Sequence, residues 1–177
     1  MSTLLKNIVR FIFFILIQVF VLNKVPLIHQ YIKPSVYFLF ILWLPFSLSR
    51  ISLMVIAFIL GLVLDYFNGT PGLHSAPCVL IAFLRPSILG IIVPQEKTEN
   101  TYIEPSVRSV GLAPYAVYVA VLTFVYHLYL TFIEWMQFDN FLFFLGKTLL
   151  SSALSLILIF ITEILFFRKA SFKTNAV

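Results

Sequence analysis

The sequence predicts an all-α integral membrane protein, a bundle of six transmembrane helices with both ends on the cytoplasmic side. Three observations carry that prediction: the apolar composition, a succession of apolar runs near spanning length, and an uneven placement of basic residues. Hydrophobic residues make up 61% of the 177 and charged residues 11%, with a mean hydropathy of +1.04. A soluble domain carries about a quarter charged residues. Lipid is therefore the expected solvent for most of a single transmembrane domain covering 1–177.

A helix needs about 20 mostly apolar residues, roughly 17–25, to cross the hydrocarbon core. That rule predicts spans at 6–23, 34–47, 51–67, 73–93, 111–133 and 141–167. The first has a basic start, as a signal peptide does. No small-x-small cleavage site follows it, since Val21, Leu22, Asn23 and Lys24 come next, so it reads as an uncleaved membrane helix. The second span is short and the last long, which tilt accommodates. The tight connections 48–50 and 68–72 make antiparallel hairpins of their flanking helices.

With the N-terminus inside, Lys6, Arg10, Arg50, Lys97, Arg108, Arg168, Lys169 and Lys173 are cytoplasmic, against Lys24 and Lys33 outside. Basic residues mark cytoplasmic loops, so N-in, C-in is favoured. The loop 134–140 is acidic without Lys or Arg, which suits the outer side. Tyr31, Tyr37, Trp43 and Trp135 lie near predicted span ends, where amphipathic rings settle. The net charge of +5 is scattered and reads as a topology signal, not as a nucleic-acid surface. The one longer polar stretch, 94–110, is broken by Pro94 and Pro105 and is expected to be a flexible cytoplasmic loop.

Charged groups are costly at membrane depth, and each is a candidate functional residue or an interhelical tie. Asp65 lies on the pattern Gly61-x-x-x-Asp65-x-x-x-Gly69, so Gly61 and Asp65 share a helix face. A turn through Gly69 and Gly72 would bring Asp65 level with His74 and Ser75. Asp65 is expected to bond His74, Ser75 or the free N–H groups that open the fourth helix. Arg85 precedes Pro86, and a pre-proline residue is biased away from helix. It marks either a break at Arg85–Pro86 or an interior arginine paired with Glu163. His127 and Lys147 are placed at one depth with Glu134 above them. Tyr115, Tyr118, Tyr126 and Tyr129 of the fifth span are expected to pack against Thr148, Ser151, Ser152, Ser155 and Thr162 of the sixth.

Enzyme signatures are missing from the sequence. His74 and His127 have no Gly-x-Ser-x-Gly context. The histidines are dispersed, with no His-Glu-x-x-His and no phosphate-cradling glycine loop. The single cysteine, Cys78, excludes an internal disulfide and reads as a small buried hydrophobe. The expectation is a protein with no enzymatic activity, no cofactor and no metal.

The basic N-terminus with "FIFFILIQVFVLN", the short-looped spans, and the block "GLVLDYFNGTPGLHSAPCVLIAFLRP" resemble the bacterial rod shape-determining protein MreD family over nearly the whole chain. Gly61, Asp65, Gly69, Gly72 and His74 carry the most recognisable part. The resemblance implies a non-enzymatic scaffold of the cell-elongation machinery in the cytoplasmic (inner) membrane. Its implied partners are MreC, the filament protein MreB, and the peptidoglycan polymerase and transpeptidase pair. It also implies an architecture similar to the substrate-binding subunits of energy-coupling-factor vitamin transporters. No catalytic residues come with it. Those transporter subunits supply the second reading, a small-molecule uptake component with Asp65, His74, His127 and Lys147 around a site open to the outside.

Overall fold

The computed structural model describes residues 3–24, 34–93, 102–134 and 141–166. The expectations for Tyr31, Lys33, Lys97, Trp135, Arg168, Lys169, Lys173 and the first half of the 94–110 loop lie outside the described residues. Helices dominate: α1 (Thr3–Leu16), continued as a π-helical stretch Ile17–Leu22; α2 (Leu39–Trp43); α3 (Arg50–Asn68); α4 (Ser75–Ile92); α5 (Val107–Val110); α6 (Leu112–Glu134); α7 (Phe141–Phe166). Among the described residues five helices are long and apolar enough to cross a membrane: α1 with its extension, α3, α4, α6 and α7. They make the chain a membrane-embedded protein, all-helical among the described residues. Their lipid-facing sides carry exposed large apolar residues, among them Ile51, Phe58, Leu149 and Ile161.

The expected second span is the departure. Within 34–47 only Leu39–Trp43 is α-helical, and Pro34 and Pro45 bracket it. Leu44 is extended, with ψ 151°, as the residue before a proline prefers. Every side chain from Val36 to Leu44 is at most 5% exposed, so this segment is the core of the bundle and not a lipid-facing helix. Irregular backbone is tolerated at membrane depth only where protein encloses it. A run of 14 residues is short for a spanning helix; tilt is not what resolves the mismatch here.

Contacts give the helix directions. Lys6 and Arg10 meet Glu104, Arg50 meets Ser87, and Tyr115 meets Glu163, all at one end, called here the basic end. Asn23 meets Asn68, and Lys147 meets Glu134, at the opposite end. α1 and α3 therefore run the same way, and the return between them passes through the buried segment.

α4 is continuous through Pro86, against the expected break at Arg85–Pro86. A break would expose backbone N–H and C=O groups to lipid, where each costs several kcal/mol. The local pre-proline bias is smaller than that. The 94–110 loop also differs from expectation in its described part, which is docked. The Phe46 N–H donates to the Ile103 carbonyl (3.0 Å), Glu104, Pro105 and Ser106 are buried, and Ser106 and Ser109 form a capping box on α5. The basic residues of α1 supply the reason, since they hold Glu104 against the bundle.

Candidate functional site

The hairpin between α3 and α4 is built around one carboxylate. α3 ends in a left-handed Gly69 (φ 65°), and Gly72 has φ 85°, a conformation side chains disfavour. The chain then turns back so that Asp65, 3% exposed, faces the start of α4. Its Oδ1 accepts from the His74 N–H (2.8 Å), His74 Nδ1 (2.9 Å) and the Thr70 hydroxyl (3.3 Å). Its Oδ2 accepts from the Gly72 and Ser75 N–H groups, both at 3.1 Å. Asp65 thus caps α4 from the preceding helix, where orphan N–H groups and the helix dipole favour an anion. Both oxygens are satisfied by the chain itself, as the residue pattern predicts.

Gly61, one turn below, sets the helix separation. A Cβ there would fall onto the Ser75 Cα, with the Ser75 nitrogen at 2.7 Å. The backbones approach this closely only because the side chain is absent.

The other intramembrane polar groups converge on the broken segment. From α1, Gln18 donates to the Pro34 carbonyl (3.2 Å) and accepts from the Val36 N–H (3.1 Å). From α7, the Ser155 hydroxyl accepts from the Ser35 N–H (3.0 Å) and bonds His127 Nε2 (2.7 Å). From α6, the Tyr118 hydroxyl donates to the Leu42 carbonyl (3.2 Å). From α4, Arg85, 1% exposed, donates through Nη2 to the Leu44 carbonyl and through Nε to Tyr118 (3.1 Å). Five of these contacts supply a partner to backbone that a short or interrupted helix leaves unpaired, and the His127–Ser155 and Arg85–Tyr118 bonds tie those side chains together.

Several expectations are corrected by this arrangement. Arg85 bonds Leu44 and Tyr118, not Glu163. Glu163 instead accepts from Trp43 Nε1 (2.6 Å) and from the Tyr115 hydroxyl. His127 and Lys147 are not level: Lys147 pairs with Glu134 at 2.6 Å, while His127 sits with Ser155 about two turns deeper. Tyrosine hydroxyls do not line up on the serine ridge of α7. Tyr126 bonds Tyr37, and Tyr115 and Tyr118 reach Glu163 and the broken segment, while Tyr129 is 36% exposed. Tyr37 and Trp43 lie in the core and not in an interfacial belt.

Sequence reading did not single out Gln18 or Glu104. Gln18 was legible as a lone amide in an apolar run. Glu104, which takes Arg10 at 2.8 Å and Lys6 at 3.4 Å, had no signal beyond its charge. Arg10 also lies 5.3 Å from the Trp43 ring centre, linking this cluster to Glu163.

Arg85 yields a prediction in which two effects compete. Arg85→Met keeps volume and removes a buried guanidinium, a relief, but orphans the Leu44 carbonyl at about 1–3 kcal/mol. The carbonyl wins on this geometry, so the variant is expected to melt earlier in mild detergent. A later melt would mean that burying the guanidinium costs more than the carbonyl bond returns.

Asp65 with His74, Glu163, His127 and Lys147 are each satisfied by neighbouring groups of the same chain, in four separate places. Among the described residues no cluster of three His, Cys, Asp or Glu could hold a metal. No family model, curated protein or solved structure matches the chain.

Proposed function

We propose that the protein is a non-enzymatic membrane scaffold of the bacterial cell-elongation machinery, of the MreD kind. In this reading the chain crosses the cytoplasmic membrane six times, N-in and C-in, the broken segment making the second crossing. MreC is the direct partner, with MreB and the peptidoglycan polymerase and transpeptidase pair in the same assembly. The resemblance of the 61–86 block supplies the family. The observation that carries the scaffold reading is the self-saturated Asp65: its five hydrogen bonds all come from residues 70–75, so it shapes a rigid outer hairpin without presenting a carboxylate to a solute. A vitamin-binding site needs polar groups converging on one cavity. Asp65 and His74 instead bond each other, His127 bonds Ser155 and Lys147 pairs with Glu134, each a local contact.

The test is purification of the tagged protein from native bacterial membranes in mild detergent, with mass spectrometry of bound proteins and small molecules. Recovery of MreC with cell-wall synthesis proteins is expected. Recovery of transporter ATPase subunits, or of a stoichiometric vitamin-like compound, would replace the scaffold with an uptake component.

A further inference from the structure

The basic residues at the basic end are not used alike. Lys6 and Arg10 share Glu104. Arg50, which reaches from the start of α3 across to α4, meets no carboxylate among the described residues, although two contacts place it. Its Nη2 donates to the Ser87 hydroxyl at 3.2 Å, and its guanidinium carbon lies 5.0 Å from the Phe83 ring centre. Stacking on a ring and one hydrogen bond orient the fork, and the side chain is otherwise exposed.

We propose that this junction of α3 and α4 binds the phosphate of an anionic phospholipid, with Arg50 as the phosphate-holding group and Ser87 and Phe83 as the residues that aim it. A planar guanidinium matches phosphate oxygens in a two-point contact that an ammonium does not make. The site lies at the end of two membrane-crossing helices, where headgroups sit, and basic crevices between such helices bind anionic headgroups. Beside it stand Ile51 and Ile91, 75% and 84% exposed, an apolar surface suited to acyl chains and not to a free ion. The proposal depends on membrane embedding alone and is independent of the scaffold reading.

The experiment measures lipid retained by purified protein after exchange into micelles containing phosphatidylglycerol or phosphatidylcholine, read by native mass spectrometry. The wild type is expected to retain phosphatidylglycerol in preference to phosphatidylcholine. Arg50→Gln is expected to lose that retention about fivefold, the factor corresponding to about 1 kcal/mol per interfacial arginine. Phosphatidylcholine retention should not change. Arg50→Lys should fall between the two, and Ser87→Ala, an exposed change with little bearing on folding, should lose part of the preference. Millimolar inorganic phosphate should not displace the lipid. Equal retention of both lipids by the wild type, equal phosphatidylglycerol retention by wild type and Arg50→Gln, or displacement by inorganic phosphate would overturn the proposal.

Discussion

Gly61→Val is expected to abolish most of the folded protein. The new Cβ falls onto the Ser75 backbone, and backbone cannot rotate aside as a side chain can. Overpacking a tight interior contact costs about 1–3 kcal/mol even where side chains yield. Here α3 must move off α4, its most extensive neighbour, and the penalty is expected at or above the top of that range. Gly61→Ala separates the competing terms. Alanine gains about 1 kcal/mol of helix propensity over glycine, yet still places its methyl on Ser75. A net loss is therefore expected for alanine too, smaller than for valine. Gly146 is the control, because a Cβ there meets nothing within 4 Å. Melting in mild detergent, followed by size-exclusion fluorescence, should rank wild type and Gly146→Ala together, then Gly61→Ala, then Gly61→Val. A Gly61→Ala protein as stable as wild type would contradict the close crossing.

Asp65→Ala is expected to have the second large effect, a loss of about 3–5 kcal/mol. It leaves the Gly72, His74 and Ser75 N–H groups without their acceptor, the last of them buried and the other two partly so, and an orphaned buried donor costs about 1–3 kcal/mol. The contributions are not additive, because the freed turn can admit water at the membrane edge. Asp65→Asn is the sharper probe. Donors approach both carboxylate oxygens, so whichever way an amide turns, its NH2 group faces at least one N–H. Asparagine should therefore restore less than half of the loss despite its matching shape. If Asp65→Asn were as stable as wild type, the carboxylate would not be the cap of α4.

The parts of this fold legible in the sequence are those set by local rules. Spanning length and composition place α3, α4, α6 and α7 within a few residues. The Gly61–Asp65–Gly69 spacing, with a turn between, places Asp65 against His74 and Ser75, because helical periodicity and turn chemistry act within about ten residues. The broken segment was legible only as an anomaly, the 14-residue run 34–47, interrupted at Pro45 and too short to span as a helix. What fills its backbone valences comes from four other helices, and no local pattern encodes that Gln18, Arg85, Tyr118 and Ser155 meet on it. For the same reason Arg85 looked like a helix break or a partner for Glu163. Its true acceptor is a main-chain carbonyl, which has no letter in the sequence. The depth of His127 relative to Lys147 failed on a smaller point. A shift of a few residues in the centre of the α6–α7 turn moves one partner by about two turns relative to the other.

These placements share a physical theme. Gln18, Arg85, Tyr118 and Ser155 complete the hydrogen bonds of an interrupted segment and Asp65 those of a helix start, and residues such as Leu39, Ile41, Ile81 and Leu122, each fully buried, pack the interior around them. A filled interior is what separates a scaffold from an uptake component, which needs water and solute to reach its polar groups from outside.

The most direct measurement of that difference is thiol labelling in intact membranes with a membrane-impermeant maleimide. The native Cys78 lies in the core, and Ser155→Cys in a Cys78→Ala background probes the far side of the broken segment. Tyr66→Cys, at a position 85% exposed at the end of the hairpin, serves as the reactive control. With the interior packed as described, only Tyr66→Cys is labelled. Labelling of Cys78 or Ser155→Cys from the outer side would reveal a water-filled cavity beside Tyr37 and His127, and would contradict the scaffold reading.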